Sequence, residues 1–276
     1  MPDHPGILSR RAPGGSRTHY IFDSTGPSSA LQNANFLHGV LMPEGADWGK
    51  IRASDEKISA DREASLYLDF VSRKINSLIN NSNFYPQSFA TILDTVIGGT
   101  SLFLPRAKRA PRGAKGGTLD GMFFRSVPVA NFWISENDYG EVDTIALLDE
   151  RRAKDIRAEF GAEEEGRQVK HAIEQGKRPD QYFQVLQIVC SSEMALQLGA
   201  PPVPGGFEFV SLHFILGTTE RLTGEPAGNE ELIRSRGMRR FPGIAPRFAQ
   251  MAGETYARGL GQYRSEERRV GKECRL

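Results

Sequence analysis

Apolar side chains recur at helical spacing through the first part of the chain. They predict one helix that starts at the potential cap Asp23–Thr25 and ends near Leu41. A clearer helix is predicted over residues 61–80, because its apolar stripe faces away from its charged side chains. A third helix starts near Pro86 and stops at Gly98-Gly99. The short break between the second and third helices predicts an αα-hairpin.

Beyond Gly99 the apolar period changes to two, which is typical of strands. The turn signal Asn137–Gly140 separates two of the strands, and glycines end two short helices. The strands are predicted over residues 100–104, 121–129, 132–134, 142–148, 182–190, 207–216 and 244–248, the helices over 150–160 and 163–175, and a loop over 106–117. The sequence therefore predicts an α+β fold in which N-terminal helices precede a mostly antiparallel sheet with helical insertions.

Composition divides the chain into three segments. Residues 1–18 are rich in Gly, Pro, Arg and Ser and poor in apolar side chains, so we expect them to be disordered. Residues 19–263 are predicted to form the folded α+β region. Residues 264–276 resemble a translated sequencing adapter and carry five basic and three acidic residues. We interpret them as a non-native tail, with a genuine solvated tail as the alternative.

Charge and cysteine content exclude several classes of protein. The net charge of +1 over 276 residues argues against a polycation that coats nucleic acid. The two cysteines, Cys190 and Cys274, are too few for a disulfide framework, lack the spacing of a zinc site and fit a reducing compartment. No apolar run approaches the roughly 20 residues that cross a bilayer, and the N-terminus lacks the apolar core of a secretory signal. We expect a protein made and used in a cytoplasm, or in something assembled there.

The sequence carries no recognisable catalytic motif. It has no P-loop, no HExxH pair and no GxSxG elbow, and its five histidines are far apart. His213 falls within a predicted strand, where a hydrogen-bonded sheet histidine is favoured over a metal ligand. We therefore expect no catalytic residue, no metal and no cofactor. The aromatic residues are interpreted as sheet core, with a ligand pocket as the alternative: Phe123, Phe124, Phe132, Trp133 and Phe207.

Two charged runs are candidate contact surfaces. One contains five cations and no acid, namely Arg106, Lys108, Arg109, Arg112 and Lys115. These cations could contact DNA phosphates or acids of a neighbouring subunit. A solvated loop is favoured, because no aromatic residue for base stacking is interleaved among them. The acidic run Glu163–Glu165 is interpreted as the solvated start of a helix rather than a metal site.

Short motifs follow one another in a fixed order between residues 20 and 262. They lie at Ile21–Thr25, Leu41–Pro43, Asn81–Pro86, Gly99–Phe103, Phe124–Pro128, Ser135–Asp143 and Arg240–Gly261. Their succession resembles the portal, or head-to-tail connector, proteins of short-tailed bacteriophages. The matched residues, which the resemblance treats as structural, are Asp23, Ser24, Thr25, Asn83, Phe84, Tyr85, Pro86, Asn137, Gly140, Pro242, Pro246, Arg247, Glu254, Tyr256, Arg258 and Gly259. The chain departs from the family pattern at Ala257 and Leu260, where glycine and proline are usual.

The resemblance implies a function in the virion. Portal proteins of this family form a homo-oligomeric ring, usually a dodecamer, at one vertex of the capsid. Double-stranded DNA is packaged and ejected through the channel, and terminase, capsid or scaffold proteins and tail adaptors dock on the ring. The resemblance also implies assembly in the host cytoplasm, no membrane and no enzymatic activity, since ATP hydrolysis belongs to the terminase. Family members continue beyond residue 263, so we expect a C-terminally truncated chain that represents the wing-like region.

Two other functions remain open from the sequence. One is a head–tail adaptor or other phage structural protein that is not the portal, and the less favoured one is a nuclease or hydrolase with a diffuse active site. Within a ring, the basic run Arg106–Lys115 could face the acidic run Glu163–Glu165 of the next subunit, because rings use heterologous contacts.

Overall fold

The computed structural model describes residues 25–46, 49–109, 119–218 and 231–261 of the chain. The chain divides into two compact units, the first running to Ala130 and resuming at Ile244, the second spanning Asn131–Gly243. Helices together with antiparallel strands in two sheets confirm the predicted α+β class. The described part of the folded region predicted over residues 19–263 is thus divided between two units. The predicted disordered segment 1–18 and the predicted non-native tail 264–276 lie outside the described residues.

The described part of the first unit contains four helices and a two-stranded antiparallel sheet. Its elements are α1 (Thr25–Leu41), α2 (Glu56–Ala60), α3 (Arg62–Asn80), α4 (Phe84–Gly98), β1 (Leu102–Arg109) and β2 (Leu119–Val127). The side chains of Asp55 and Asp61 cap α2 and α3, because each accepts a hydrogen bond from a backbone N–H two residues further on. The three long helices agree with the predicted ones, whereas α2 was not predicted from the sequence.

Helix α4 packs mainly against α1. His38 of α1 shares a 3.0 Å hydrogen bond with the Ser88 hydroxyl, and its ring lies edge-on to those of Tyr85 and Phe89 at centroid distances of 6.2 and 5.8 Å. Helix α3 leads into α4 through the predicted asparagine-rich break but contacts it less extensively. The helical partner that matters most for α4 is therefore the more distant α1, not its neighbour in the predicted αα-hairpin.

An aromatic cluster joins α4 to the two strands. Phe84 of α4, Phe103 of β1 and Phe124 of β2 are all buried. Phe103 and Phe124 stack at a centroid distance of 5.4 Å, and Phe84 meets Phe124 edge-on at 5.1 Å. Such pairs add about 1 kcal/mol each beyond the burial of their surface. The prediction of a sheet core is confirmed for Phe124 but is wrong for Phe123, whose alternate position leaves it 46% exposed.

The second unit is a five-stranded antiparallel sheet whose strands are adjacent in chain order. Its elements are β3 (Phe132–Glu136), β4 (Val142–Arg152), α5 (Ala153–Phe160), α6 (Arg167–Glu174), β5 (Tyr182–Ser191), α7 (Ser192–Gln197), β6 (Phe209–Thr218) and β7 (Glu231–Met238). A short 3₁₀ turn, Val129–Asn131, precedes β3. All the ladders are between sequence neighbours, so the sheet needs no crossover connection.

Both faces of this sheet are covered. Phe183 and Val185 of β5 pack with α5 and α6, whereas Ile188 and Cys190 of the same strand pack with α7. Because side chains of a strand alternate between faces, the two clusters lie on opposite sides of the sheet. Of the aromatic residues predicted for this sheet's core, Phe132 is buried, Phe207 is partly buried and Trp133 is 48% exposed, so the prediction for Trp133 is wrong.

Two predicted boundaries are corrected by strand pairing. Strand β1 continues to Arg109, which lies opposite Leu119, so the first part of the predicted 106–117 loop is strand. Strand β4 continues to Arg152, which lies opposite Tyr182, so the helix predicted from residue 150 begins only at Ala153. In both cases a partner strand supplies ladder hydrogen bonds that the local apolar pattern does not reveal.

Three further elements differ from the sequence prediction. Helix α7 and strand β7 were not predicted. The predicted strand 244–248 is instead an extended segment joined to β1 by isolated bridges at Ile244 and Arg247. Its two flanking prolines, Pro242 and Pro246, have no N–H to donate, which limits a continuous ladder.

The acidic run Glu163–Glu165 is not a solvated helix start. Gly166 at φ 81° precedes α6, and Glu165 is only 1% exposed. The Arg157 guanidinium donates to both Glu165 carboxylate oxygens at 2.5 and 2.6 Å and to Glu174 at 3.1 Å. Arg234 lies 3.4 Å from Glu164. The hypothesis that this run pairs with a neighbouring subunit is therefore wrong for Glu165, whose cation is in the same chain.

The Arg157–Glu165 fork ties α5 to the loop before α6. Its hydrogen bond with Glu165 holds the pKa of Arg157 above its ordinary value. We expect Arg157→Met to lower the melting temperature of the second unit by several degrees, because it leaves a buried carboxylate without its cation. The double change Arg157→Met with Glu165→Leu should recover part of the loss. Thermal unfolding followed by circular dichroism measures both, with Arg167→Met as the exposed control, and a double variant no better than the single one would contradict this account.

Candidate functional site

Many of the motif residues gather at the two ends of α4 in the first unit. Asn83 to Pro86 lie at its N-terminal end, and the segment from Ile244 to Gly261 meets its C-terminal end. Asn137 and Gly140 lie in the second unit, in the hairpin between β3 and β4. Thr25 is the first residue of α1, while Asp23 and Ser24 lie outside the described residues.

Asn83 fastens β2 to the start of α4. Its side-chain amide donates to the Phe124 carbonyl at 2.7 Å, and its side-chain oxygen accepts from the Phe124 N–H at 2.8 Å. One turn later, the Gln87 side-chain oxygen accepts from the Ser126 N–H at 2.8 Å. The edge of β2 that faces away from β1 is thus paired with helix side chains. These bonds satisfy backbone groups that an extra strand would otherwise take.

The three residues after Asn83 fix the start of α4 in other ways. Phe84 and Tyr85 are buried, and the Tyr85 hydroxyl donates to Asn80 at 2.8 Å. Pro86 lies in the first turn of the helix, where a backbone N–H has no partner to lose. Asn83 itself makes no capping bond; the Ser82 hydroxyl accepts from the Phe84 N–H at 3.2 Å instead.

The C-terminal segment of the first unit lies along the start of β1. Ile244 and Phe103 exchange two backbone hydrogen bonds of 2.9 and 2.8 Å. The Ser101 N–H donates to Pro246 at 3.2 Å, and the Phe248 N–H donates to Gly99 at 2.8 Å. The segment therefore completes the outer edge of β1 as α4 side chains complete that of β2.

Two glycines allow the backbones to touch at the end of α4. A Cβ on Gly259 would lie 2.4 Å from the Ile97 carbonyl oxygen, and one on Gly99 would lie 2.1 Å from the Ala257 carbonyl oxygen. Gly99 also has φ 86°, which ends the helix. The Ala257 N–H donates to the Thr100 hydroxyl at 2.8 Å. Ala257, which departs from the family's glycine, is 3% exposed, so its methyl group is accommodated.

Glu254 and Arg258 form a fork within the same segment. The Arg258 guanidinium donates to the two Glu254 oxygens at 2.8 and 3.3 Å, and the Arg258 N–H donates to Ala249 at 2.9 Å. These bonds close the loop that carries Tyr256. Arg247 bridges Thr100 through its backbone, and Pro242 follows β7 in the second unit.

The β3–β4 hairpin of the second unit ends in a rigid tip. The Asn137 side-chain oxygen accepts from the N–H groups of Tyr139 and Glu141, both at 3.0 Å. Gly140 takes φ 77°, which favours glycine. The predicted turn is confirmed, and Tyr139 at its tip is 89% exposed.

The basic candidate residues follow the far end of β1. Arg106, Lys108 and Arg109 belong to this strand, and Arg112 and Lys115 lie outside the described residues. The structure does not bring these cations together with the motif residues of α4. Their contact with DNA or with a neighbouring subunit stays a prediction.

The described residues offer no grouping suited to catalysis. Within the described ranges, no three His, Cys, Asp or Glu side chains gather as they would around a metal ion. His213 lies in β6, and its ring meets that of Phe160 edge-on at 5.1 Å. Burial raises the pKa of Asp94 in α4, and burial followed by the charge of Asp143 raises the pKa of Cys190. Among the helices that the structure describes, none is long and apolar enough to cross a membrane.

The geometry defines a structural protein whose motifs hold its own chain together. A family model described as bacteriophage head to tail connecting protein matches residues 4–266. The chain therefore belongs to this family of structural phage proteins, which is not known as enzymatic. It is a phage head–tail connecting protein, and the family implies a place in the virion and contact with capsid and tail components. No curated protein matches the chain.

Sequence reasoning identified Asn83 but not its role or its partner Gln87. The spacing of four residues, which puts two amide side chains on one helix face, was the available signal. It could not reveal that both side chains face a strand some forty residues further along. The fork between Arg157 and Glu165 was missed for the same reason, since eight residues and a helix end separate its members.

Asn83→Ala should loosen β2 selectively. It removes both partners of Phe124, whose buried backbone groups then cost about 1–3 kcal/mol. Amide hydrogen exchange read by mass spectrometry should show faster exchange over residues 119–127, with the β4–β5 peptides of the second unit unchanged. Asn81→Ala is the matched control, because the Asn81 side chain bonds only within α3 at an exposed position. Equal protection of β2 in both variants would contradict the assigned role.

Gly259→Ala should release the C-terminal segment from α4. The added methyl group would lie 2.4 Å from the Ile97 carbonyl oxygen and 2.6 Å from the Gly99 nitrogen, so backbone must move. We expect faster limited proteolysis between residues 244 and 261. Gly39→Ala is the control, because nothing lies within 4 Å of its added methyl group. Proteolysis at the rate of the unchanged chain would rule out a tight contact here.

Proposed function

We propose that the chain is a subunit of the phage portal, the ring at one capsid vertex through which double-stranded DNA enters and leaves. Terminase docks on this ring during packaging, and tail adaptor proteins dock on it afterwards. The observation that carries the proposal is the family match over residues 4–266, together with the ordered motifs that the chain shares with portals. The ring, the terminase, the tail adaptors and the DNA all belong to the proposal.

The build of the two units supports a load-bearing part. Motif residues fasten both outer edges of the β1–β2 sheet, through Asn83 on one side and Ile244 on the other. The second unit has helices on both faces of its sheet and a buried ion pair. Such arrangements spend polar groups on holding the chain rather than on aiming them at a substrate. In the proposal the chain performs no chemical step, in the host cytoplasm or in the virion.

The charge of the chain supports passage rather than retention of DNA. Each phosphate that a protein neutralises releases counterions and adds to affinity, so a dense cationic lining would hold DNA in place. The net charge of +1 over 276 residues leaves the protein close to neutral. In the proposal the cations from Arg106 to Lys115 are a local contact and not part of a general DNA coat.

Electron microscopy tests the proposal directly. Negatively stained particles of the chain, with its coding sequence completed past Gln262 from the source phage, should be rings with a central hole. Uniform monomers or dimers would contradict the portal assignment and favour another head–tail adaptor. A metal-dependent nuclease assay on the same sample should show no activity above a buffer control, and activity that copurifies with the protein would favour the enzyme instead.

A further inference from the structure

Helix α1 carries large apolar side chains on the face that is turned away from its own unit. Ala34 is its only buried residue, and the side that packs on α4 includes His38. Half a turn away, Phe36 is 68% exposed and Val40 is 62% exposed. The helix contains no Asp, Glu, Lys or Arg anywhere between Thr25 and Leu41. A solvated helix face normally carries such charges, whereas the centre of an interface lacks them.

Helix α3 shows the same inversion. Its only buried residues are the polar Ser72 and Asn76, which hold the extended segment before α2. The Ser72 hydroxyl accepts from the Ile51 N–H at 2.9 Å, and the Asn76 amide donates to the Gly49 carbonyl at 3.1 Å. Apolar side chains are exposed on the other side, where Tyr67 is 66% and Phe70 is 56% exposed. The polar side of α3 thus serves its own chain, and the apolar side faces outward.

We propose that the outward face of α1 binds the outward face of α3 on a second copy of this chain. The α1 face is defined by Phe36 and Val40, and the α3 face by Leu66, Tyr67 and Phe70. The inference rests on the proposed ring, because a ring joins one patch of each subunit to a different patch of the next. A twofold pairing of either face with itself would leave the other apolar face uncovered.

The two faces match in length. Helices of 17 and 19 residues are about 25 and 28 Å long. Two such faces in contact bury on the order of 1,000 Å² in total, which is about the lower limit for a specific interface. Phe36, Tyr67 and Phe70 supply the aromatic side chains that dominate binding energy at the centre of an interface.

Complementing variants test the inference. Phe36→Glu removes the α1 face and Phe70→Glu removes the α3 face, and both sites are exposed enough for the fold to survive, which far-ultraviolet circular dichroism checks. Sedimentation velocity of the unchanged chain should show association that grows with concentration. Each variant alone should associate at least about tenfold more weakly, because the contact would bury an unpaired carboxylate. Mixed in equal amounts, the two variants should form a dimer, because each still carries the face that the other lacks.

The control and the remaining outcomes separate this interface from the ring itself. Tyr139→Glu, at an exposed aromatic of the second unit, should associate like the unchanged chain. A mixture that stays monomeric, or a loss of association only in Phe36→Glu, would overturn the α1–α3 contact. An unchanged chain that stays monomeric, with Phe36→Glu lowering its melting temperature, would show that the chain's own residues cover α1 and would also overturn it. Rings formed by both variants in the completed chain would overturn the contact and leave the portal proposal standing.

Discussion

The two hydrogen bonds between the Asn83 side chain and the Phe124 backbone are the constraint on which the first unit depends. A two-stranded sheet is marginal by itself, because each strand has an open edge and only one partner. Asn83 and Gln87 close the edge of β2, and the backbone of Ile244 pairs with that of β1. The aromatic cluster of Phe84, Phe103 and Phe124 can then pack between helix and sheet, because the strands cannot slide past α4.

The second unit solves the same problem by a different route. Its sheet has five strands and is covered on both faces, so burial rather than side-chain pairing holds it. Polar groups enter only where a helix must be oriented, as Arg157 does for Glu165, or where a turn must be fixed, as Asn137 does for the hairpin. The family motifs accordingly concentrate in the first unit, where local contacts replace a large core.

The sequence predicted the elements better than their partners. The long helices α1, α3 and α4 follow from apolar spacing, and the Asn137 turn follows from its residue types, because both signals are local. Strand β7 and the ends of β1 and β4 depend on ladders with distant residues, so the local pattern around Arg109 and Arg152 was misread. Glu165 looked solvated because its cation lies on another element. The motif residues of the site were found, but the clamp that Asn83 makes with Phe124 required the fold.

Helix α3 shows how strongly an apolar stripe can mislead when a protein assembles. The stripe of Leu68, Val71 and Ile75 predicts a helix buried by its own chain, yet these residues are only partly covered and the buried positions are Ser72 and Asn76. A helix with apolar residues all round is usually enclosed. The free energy that covers Tyr67 and Phe70 must then come from outside the subunit. A connecting protein that is stable alone yet incomplete at its surface has, in such helices, a reason to assemble without any change of its fold.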